Sequence, residues 1–383
     1  MHPRTRVVHL LDPAICGAEG VLACGSCLTM SSVEQHVWLI GGTEDAKLTH
    51  SLGVPAADRV AMAAGLTETA AWNLRALARS RLNEADVADT VIQCWSLAGL
   101  GLARLAFGDR HRRTALFVHG PDAGWRTALG RRRRRFAMKG ATALAMTEEL
   151  AIAWRAADVK ITGTVDIPPL STPWLAGDRE AVRAELRVRP DEIAVLMLAD
   201  PPGAGDARDA VALLGMMRFA GPRLVGLFDR RATGFARAAR FNQRFGRHWD
   251  MIAFRGSPLH AMAAADVVLW DSHQTRSRQR TGMVAGGAIL AQAACTAGIP
   301  VVAARDPLTE RVLGASANAS LADDNLMPAL GKRLMPLLES GAARAELGEA
   351  LAAATTTSVA SSRFHQQMLG AWGIEAAVLG AAA

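Results

Sequence analysis

Two glycines, Gly286 and Gly287, stand ahead of the small-residue stretch Ala288 to Thr296 and behind a loop carrying Arg276, Arg278 and Arg280. Glycine lets a backbone approach a ligand closely, and the first N–H groups of a helix are unpaired donors suited to phosphate. Arginine adds a permanently charged fork that grips phosphate oxygens in pairs. Arg230 and Arg231 follow an earlier apolar run and could join the same anion site, while Ser272 follows the run Val267 to Trp270. Gln292 adds an amide, a weaker polar contact than a carboxylate would be. A phosphate-bearing ligand is the expectation here, against the alternative that these arginines are solvated surface.

Three other positions could do chemistry. His119 precedes Gly120 at the end of the apolar run Thr114 to Val118. It could bond a ligand hydroxyl, or simply be satisfied by backbone. Glu19 is a candidate ligand-contacting carboxylate, with helix capping as its structural alternative. Cys24 and Cys27 have redox or metal spacing, but no second Cys/His pair lies near them, so packing as small residues on a helix is the simpler reading.

The elements that would hold these residues alternate. Arg6 to Leu11 reads as a strand, followed by a helix from about Glu19 and a strand at Val37 to Ile40. Helices at Thr67 to Arg81, Ala98 to Phe107 and Glu148 to Ala157 are interleaved with strands at Asp89 to Cys94, Thr114 to Val118, Ala141 to Met146 and Val159 to Thr162. Val165 to Pro173 then carries three prolines and breaks regular structure. A second series follows, with strands at Ile193 to Ala199, Arg223 to Phe228, Asp250 to Arg255, Val267 to Trp270 and Ile299 to Ala303. Strand–helix–strand units of this kind close onto parallel sheets, where ligands collect at the carboxyl ends of the strands. From Asn325 the chain reads as helical, and Phe364, Met368, Leu369 and Trp372 recur at helical spacing.

Composition narrows the classes. The 383 residues suffice for two cores, and half of them are apolar. No run of about 18 apolar residues suggests a membrane span, and the opening MHPRTRVVHLLDP lacks a long apolar leader region. A cytoplasmic protein with reduced thiols is expected, peripheral to the inner membrane face at most. The net charge of +7 comes from arginine, since only Lys47, Lys139, Lys160 and Lys332 are lysines. Five successive arginines, Arg131–Arg135, read as a solvated turn or as a dock for acidic lipid head groups. Nucleic acid is not expected, because no aromatic residues alternate with them.

Several local patterns, in order, resemble the retaining nucleotide-sugar glycosyltransferases that include sucrose-phosphate synthases and mannosyltransferases. Cys16-Gly17-Ala18-Glu19 is similar to their Gly-Gly-Ala-Glu turn, His119-Gly120 to their strand-end His-Gly, and Val165-Asp166 to the Val-Asp before their linker. Phe254-Arg255-Gly256, Ala265-Asp266-Val267, Ser272 and the segment Ala293 to Ala303 match later signals, and Glu310 falls where these enzymes often carry a glutamate. The resemblance implies an α/β chain of two Rossmann-like domains, the GT-B fold, facing across an interdomain cleft. Its expected limits are an acceptor-side domain over 1–165, a linker at 166–177, a nucleotide-sugar domain over 178–355 and a C-terminal helix over 356–383 packing back on the first domain. It implies a catalytic role for His119, donor contacts from Gly17, Arg230, Ser272, Arg276, Gly286, Gly287, Gln292 and Glu310, and an acceptor contact from Glu19. The nucleotide-sugar is then a substrate rather than a cofactor, the acceptor is unassigned, and no metal is required.

The sequence departs from the pattern at the chemistry. The two glutamates that such enzymes place around the helix start are Ala285 and Ala293 here, and no glutamate occurs from Ile193 to Thr309. Their diphosphate-binding Arg/Lys pair is also missing from Ala199 to Arg208, which carries Asp200 and Asp206 instead. Two functions therefore stand side by side: sugar transfer through a rebuilt donor site, and a catalytically inactive binding or scaffold protein.

Overall fold

A computed structural model describes residues 6–41, 58–60, 67–82, 89–108, 113–118, 132, 135–156, 159–170, 178–198, 207–220, 223–230, 235–244, 250–254, 257–270, 287–314, 317–323, 327–356 and 360–374. The chain divides into two compact units, Met1–Pro169 with Val359–Ala383, and Leu170–Ser358.

The first unit opens with β1 (Arg6–Leu11), α1 (Pro13–Leu28), β2 (Glu34–Ile40) and β3 (Asp58–Val60). It continues with α2 (Thr67–Arg81), β4 (Val91–Cys94), α3 (Leu97–Phe107), β5 (Thr114–Val118), β6 (Thr142–Ala145), α4 (Glu148–Arg155) and β7 (Gly163–Thr164). The strands form one parallel sheet ordered β3-β2-β1-β4-β5-β6-β7. β4 and β5 are buried at every position, as near-continuous apolar runs covered on both faces should be. The expected strand over Val159 to Thr162 is not one. Val159 N–H bonds back to Trp154 O as the chain leaves α4, the first bond to β6 is Thr162 N–H to Ala143 O at 2.8 Å, and the strand itself is Gly163–Thr164 on the sheet edge.

The second unit contains α5 (Arg179–Glu185), β8 (Ile193–Leu198), α6 (Ala207–Ala220), β9 (Leu224–Asp229), α7 (Phe235–Arg244) and β10 (Asp250–Phe254). Then come α8 (Pro258–Ala264), β11 (Val267–Trp270), α9 (Ala288–Thr296), β12 (Val301–Ala304) and α10 (Pro307–Leu313). It ends with α11 (Ala317–Ser320), β13 (Leu321–Ala322), α12 (Met327–Glu339) and α13 (Gly341–Thr356). Its strands also run parallel, in the order β10-β9-β8-β11-β12-β13. Successive crossovers move outward from β8 through β9 to β10, then restart at β11 and move the other way. This reversal makes the crevice beyond β8 and β11 the switch point of the sheet.

Asp266 fastens that strand pair from the amino side. Its carboxylate accepts from Arg179 at 2.6 Å, Arg183 at 3.0 Å and Ala194 N–H at 2.8 Å. The Ala-Asp-Val signal is thus a structural bolt between α5, β8 and β11.

The last helix, α14 (Ala360–Ala371), belongs to the first unit. Phe364, Met368, Leu369 and Trp372 are all buried, and Trp372 Nε1 donates to Gln93 Oε1 at 2.9 Å. Gln367 Oε1 accepts from Asp166 N–H at 2.8 Å. No described helix is long and apolar enough to cross a membrane.

Candidate functional site

The second unit presents its most ligand-ready feature at the switch point. Gly287 caps α9 at φ +89, a left-handed conformation that side chains other than glycine rarely adopt. Space imposes the same choice, because a Cβ there would lie 3.0 Å from Trp270 Nε1 and 3.7 Å from Leu198 Cδ2. Those are the last residues of β11 and β8, so α9 begins directly over the crevice. Gly287 itself has no side chain to cap it. The helix dipole favours an anion at this start. The neighbouring α10 contrasts with it, since Asp306 and Thr309 close a full capping box at its start.

Other positions singled out from the sequence share this carboxyl edge. Arg230 is exposed just beyond β9, with its own N–H bonded to Phe254 O at 3.1 Å. Glu310 lies on α10 beyond β12, where its carboxylate accepts from Arg305 at 2.7 Å. Gln292 is one turn into α9, and its Oε1 is buried with no hydrogen-bond partner among the described residues. A buried amide oxygen without a donor is costly unless something supplies one. Ala293 beside it is fully buried in the core, so this position is packing rather than ligand contact.

In the first unit Gly17 sits at φ +64 and ψ −169, kinking α1 just past β1, with open space where a Cβ would be. Glu19 follows it and is buried rather than presented at the surface. His119, Ser272, Arg276 and Gly286 lie outside the described residues, as do Arg131, Arg133, Arg134 and Ala285.

Arg305 was not singled out from the sequence. It follows β12 and pairs with Glu310, and the strand-end position beside the Asp-Pro cap is the signal that could have found it.

Among the described residues no cluster of His, Cys, Asp and Glu is arranged to hold a metal. Cys24 and Cys27 are free and buried, and burial pushes both thiols well above the usual range, so they serve as packing. A cavity of about 340 Å³ lined by Arg179, Asp266, Pro300 and Arg344 lies at the amino ends of β11 and β12. That is the wrong end of a parallel sheet for the ligand crevice.

Solved structures share this arrangement. HepE of Anabaena, in complex with UDP and glucose, aligns over 97% of this chain and 100% of its own, with a TM-score of 0.63 and 15% identity. The fold is GT-B. Sucrose-phosphate synthase of Thermosynechococcus elongatus aligns over 97% of this chain and 100% of its own, at a TM-score of 0.58 and 13% identity. UDP-GlcNAc 2-epimerase of Neisseria meningitidis, bound to UDP-GlcNAc, covers the same shares at a TM-score of 0.51 and 10% identity. No protein-family model and no curated protein matches the sequence. An epimerase on the GT-B fold means that the fold alone does not select the reaction.

Proposed function

We propose that the second unit binds the diphosphate of a nucleotide-sugar at the start of α9 and that the protein transfers the sugar to an acceptor. The observation that carries this reading is the left-handed Gly287 helix start packed on the ends of β8 and β11. A leaving diphosphate gains negative charge as the sugar departs, and the positive end of the α9 dipole stabilises that charge. Arg230 supplies a cation on the same edge, and Gln292 a polar contact one turn in. From the sequence, Gly17, Ser272, Arg276, Gly286 and Glu310 are read as further donor contacts, His119 as the catalytic residue and Glu19 as an acceptor contact. UDP is the first donor base to test, because HepE and the epimerase were both solved with UDP compounds. The arginine run is read as facing acidic lipid head groups on the acceptor side.

The test is a thermal-shift titration with UDP, GDP, ADP and their sugar conjugates. Ligand at about 100 times its dissociation constant should stabilise the native state by about 2.7 kcal/mol. The shift should appear with one base and shrink in Arg230→Ala and Gln292→Ala. No shift with any of them at millimolar concentration rejects the donor site.

The fully buried Ala293 favours a second reading, in which the nucleotide binds but no sugar is transferred. A UDP-induced shift with no UDP released from any UDP-sugar would select that reading.

A further inference from the structure

Three of the four large apolar side chains exposed in the first unit among the described residues, Trp72, Leu105 and Phe136, line up along cations, Ile152 on α4 being the fourth. Trp72, 67% exposed, shares one stripe of α2 with Arg75 and Arg79 at helical spacing. Arg75 lies across the end of α3, donating to Ala106 O and, at 2.7 Å, to the carbonyl of Leu105, itself 42% exposed. The preceding residue, Arg104, donates to Ala137 O at 3.4 Å, which brings the helical turn carrying Arg135, Phe136 and Lys139 against the same helix end. Phe136 is 54% exposed there, and Arg132, Arg135 and Lys139 are exposed around it. A single exposed apolar residue is ordinary, but three joined through one set of contacts form a face.

Charge identifies what the face fits. The stretches 67–82, 97–108 and 131–140 contain one acidic residue, Glu68, against ten basic ones: Arg75, Arg79, Arg81, Arg104, Arg131–Arg135 and Lys139. A second copy of this chain, meeting the same face across a two-fold axis, would set cation against cation. A bilayer with acidic head groups satisfies both features, since arginines pair with the head groups while tryptophan and phenylalanine enter the interface. We propose that Trp72, Leu105 and Phe136, ringed by Arg75, Arg79, Arg132, Arg135 and Lys139, form a docking face for an acidic lipid surface. This deepens the lipid-facing reading of the arginine run and does not depend on sugar transfer.

Co-sedimentation of the full chain with phosphatidylcholine vesicles, with and without phosphatidylglycerol, tests it. Binding is expected only with phosphatidylglycerol and should weaken as salt rises. Arg132→Ser with Arg135→Ser should lower the affinity about 5-fold per arginine. Trp72→Ser with Phe136→Ser should lower it at least about tenfold, because these side chains bury apolar surface in the bilayer. Absence of sedimentation, equal binding to neutral vesicles, or wild-type affinity in the Trp72/Phe136 variant overturns the proposal. So does a soluble dimer that the Trp72/Phe136 variant dissolves, which would assign the face to a second copy. The UDP-induced thermal shift of the same preparations reads the donor site separately, and it should be unchanged in both double variants.

Discussion

His9 is held neutral at the centre of β1. It is fully buried, stacked on Trp95 at 5.8 Å and edge-on to Trp372 at 5.9 Å. Its Nε2 bonds Gln35 Oε1 at 2.8 Å, while Gln35 Nε2 donates to Cys27 O and Met30 O. The Gln35 oxygen is therefore the acceptor, and His9 carries its proton on Nε2. Burial lowers the pKa from 6.5 to about 4, the Gln35 bond opposing the shift and His36 adding to it. Below pH 6.5 the unfolded chain gains a proton that the folded chain refuses, so stability falls between pH 6.5 and pH 4. The loss reaches about 3 kcal/mol by the lower limit. His9→Gln should be less stable at neutral pH yet show a flatter dependence across that window, measured by urea midpoints. Parallel pH curves for the two proteins would exclude His9 as the source. At this scale the sequence showed that Ala293 has no polar group to offer. It could not show that Ala293 is core while Gln292 keeps an unsatisfied oxygen, because that depends on how α9 is rotated against the sheet.

The elements that position the donor edge were the more legible part. β8, β9 and β11 announce themselves as apolar runs of buried parallel strands, β10 as a half-buried edge strand, and α9 is bracketed by Gly287 and by Gly298 at φ +72. Elements too short to show a period were not read, namely β3, β13, α8 and α11. α10 was also missed, although Asp306-Pro307-Leu308-Thr309 carries both a cap and a first-turn proline. What no pattern revealed is the closeness of Gly287 to Trp270, which arises only when two strands and a helix meet. Gly287→Ala tests that meeting. It forces a left-handed alanine at a cost of about 1–2 kcal/mol and brings a methyl group against the Trp270 ring. The melting temperature should fall, and the UDP-induced shift should shrink further than in Arg230→Ala, because the helix start itself moves. A wild-type nucleotide response in Gly287→Ala would mean that the diphosphate binds elsewhere.

At the scale of the whole molecule, the first unit is made from both ends of the chain. Trp372 reaches Gln93 across 279 residues of sequence, and Phe364 packs edge-on to Phe117 at 6.3 Å. The core around His9 and Trp95 therefore stays open until the second unit has been synthesised and α14 returns. Removing a buried tryptophan costs about 3–5 kcal/mol, against a domain stability of about 5–15 kcal/mol. Trp372→Ala also leaves the Gln93 amide oxygen buried without its donor. Truncation after Thr356 removes Phe364 and Met368 as well and should take the first unit to the edge of unfolding. By calorimetry, Trp372→Ala should lower one of two transitions and leave the other in place, while truncation should lower or abolish that same transition. A chain that loses both transitions together would show that the units unfold as one body. An unshifted pair would show that α14 contributes nothing to the core it covers. A synthetic peptide spanning 359–383 added to the truncated chain should restore the lost transition, because the groove left by α14 keeps its Gln93 acceptor and its aromatic floor.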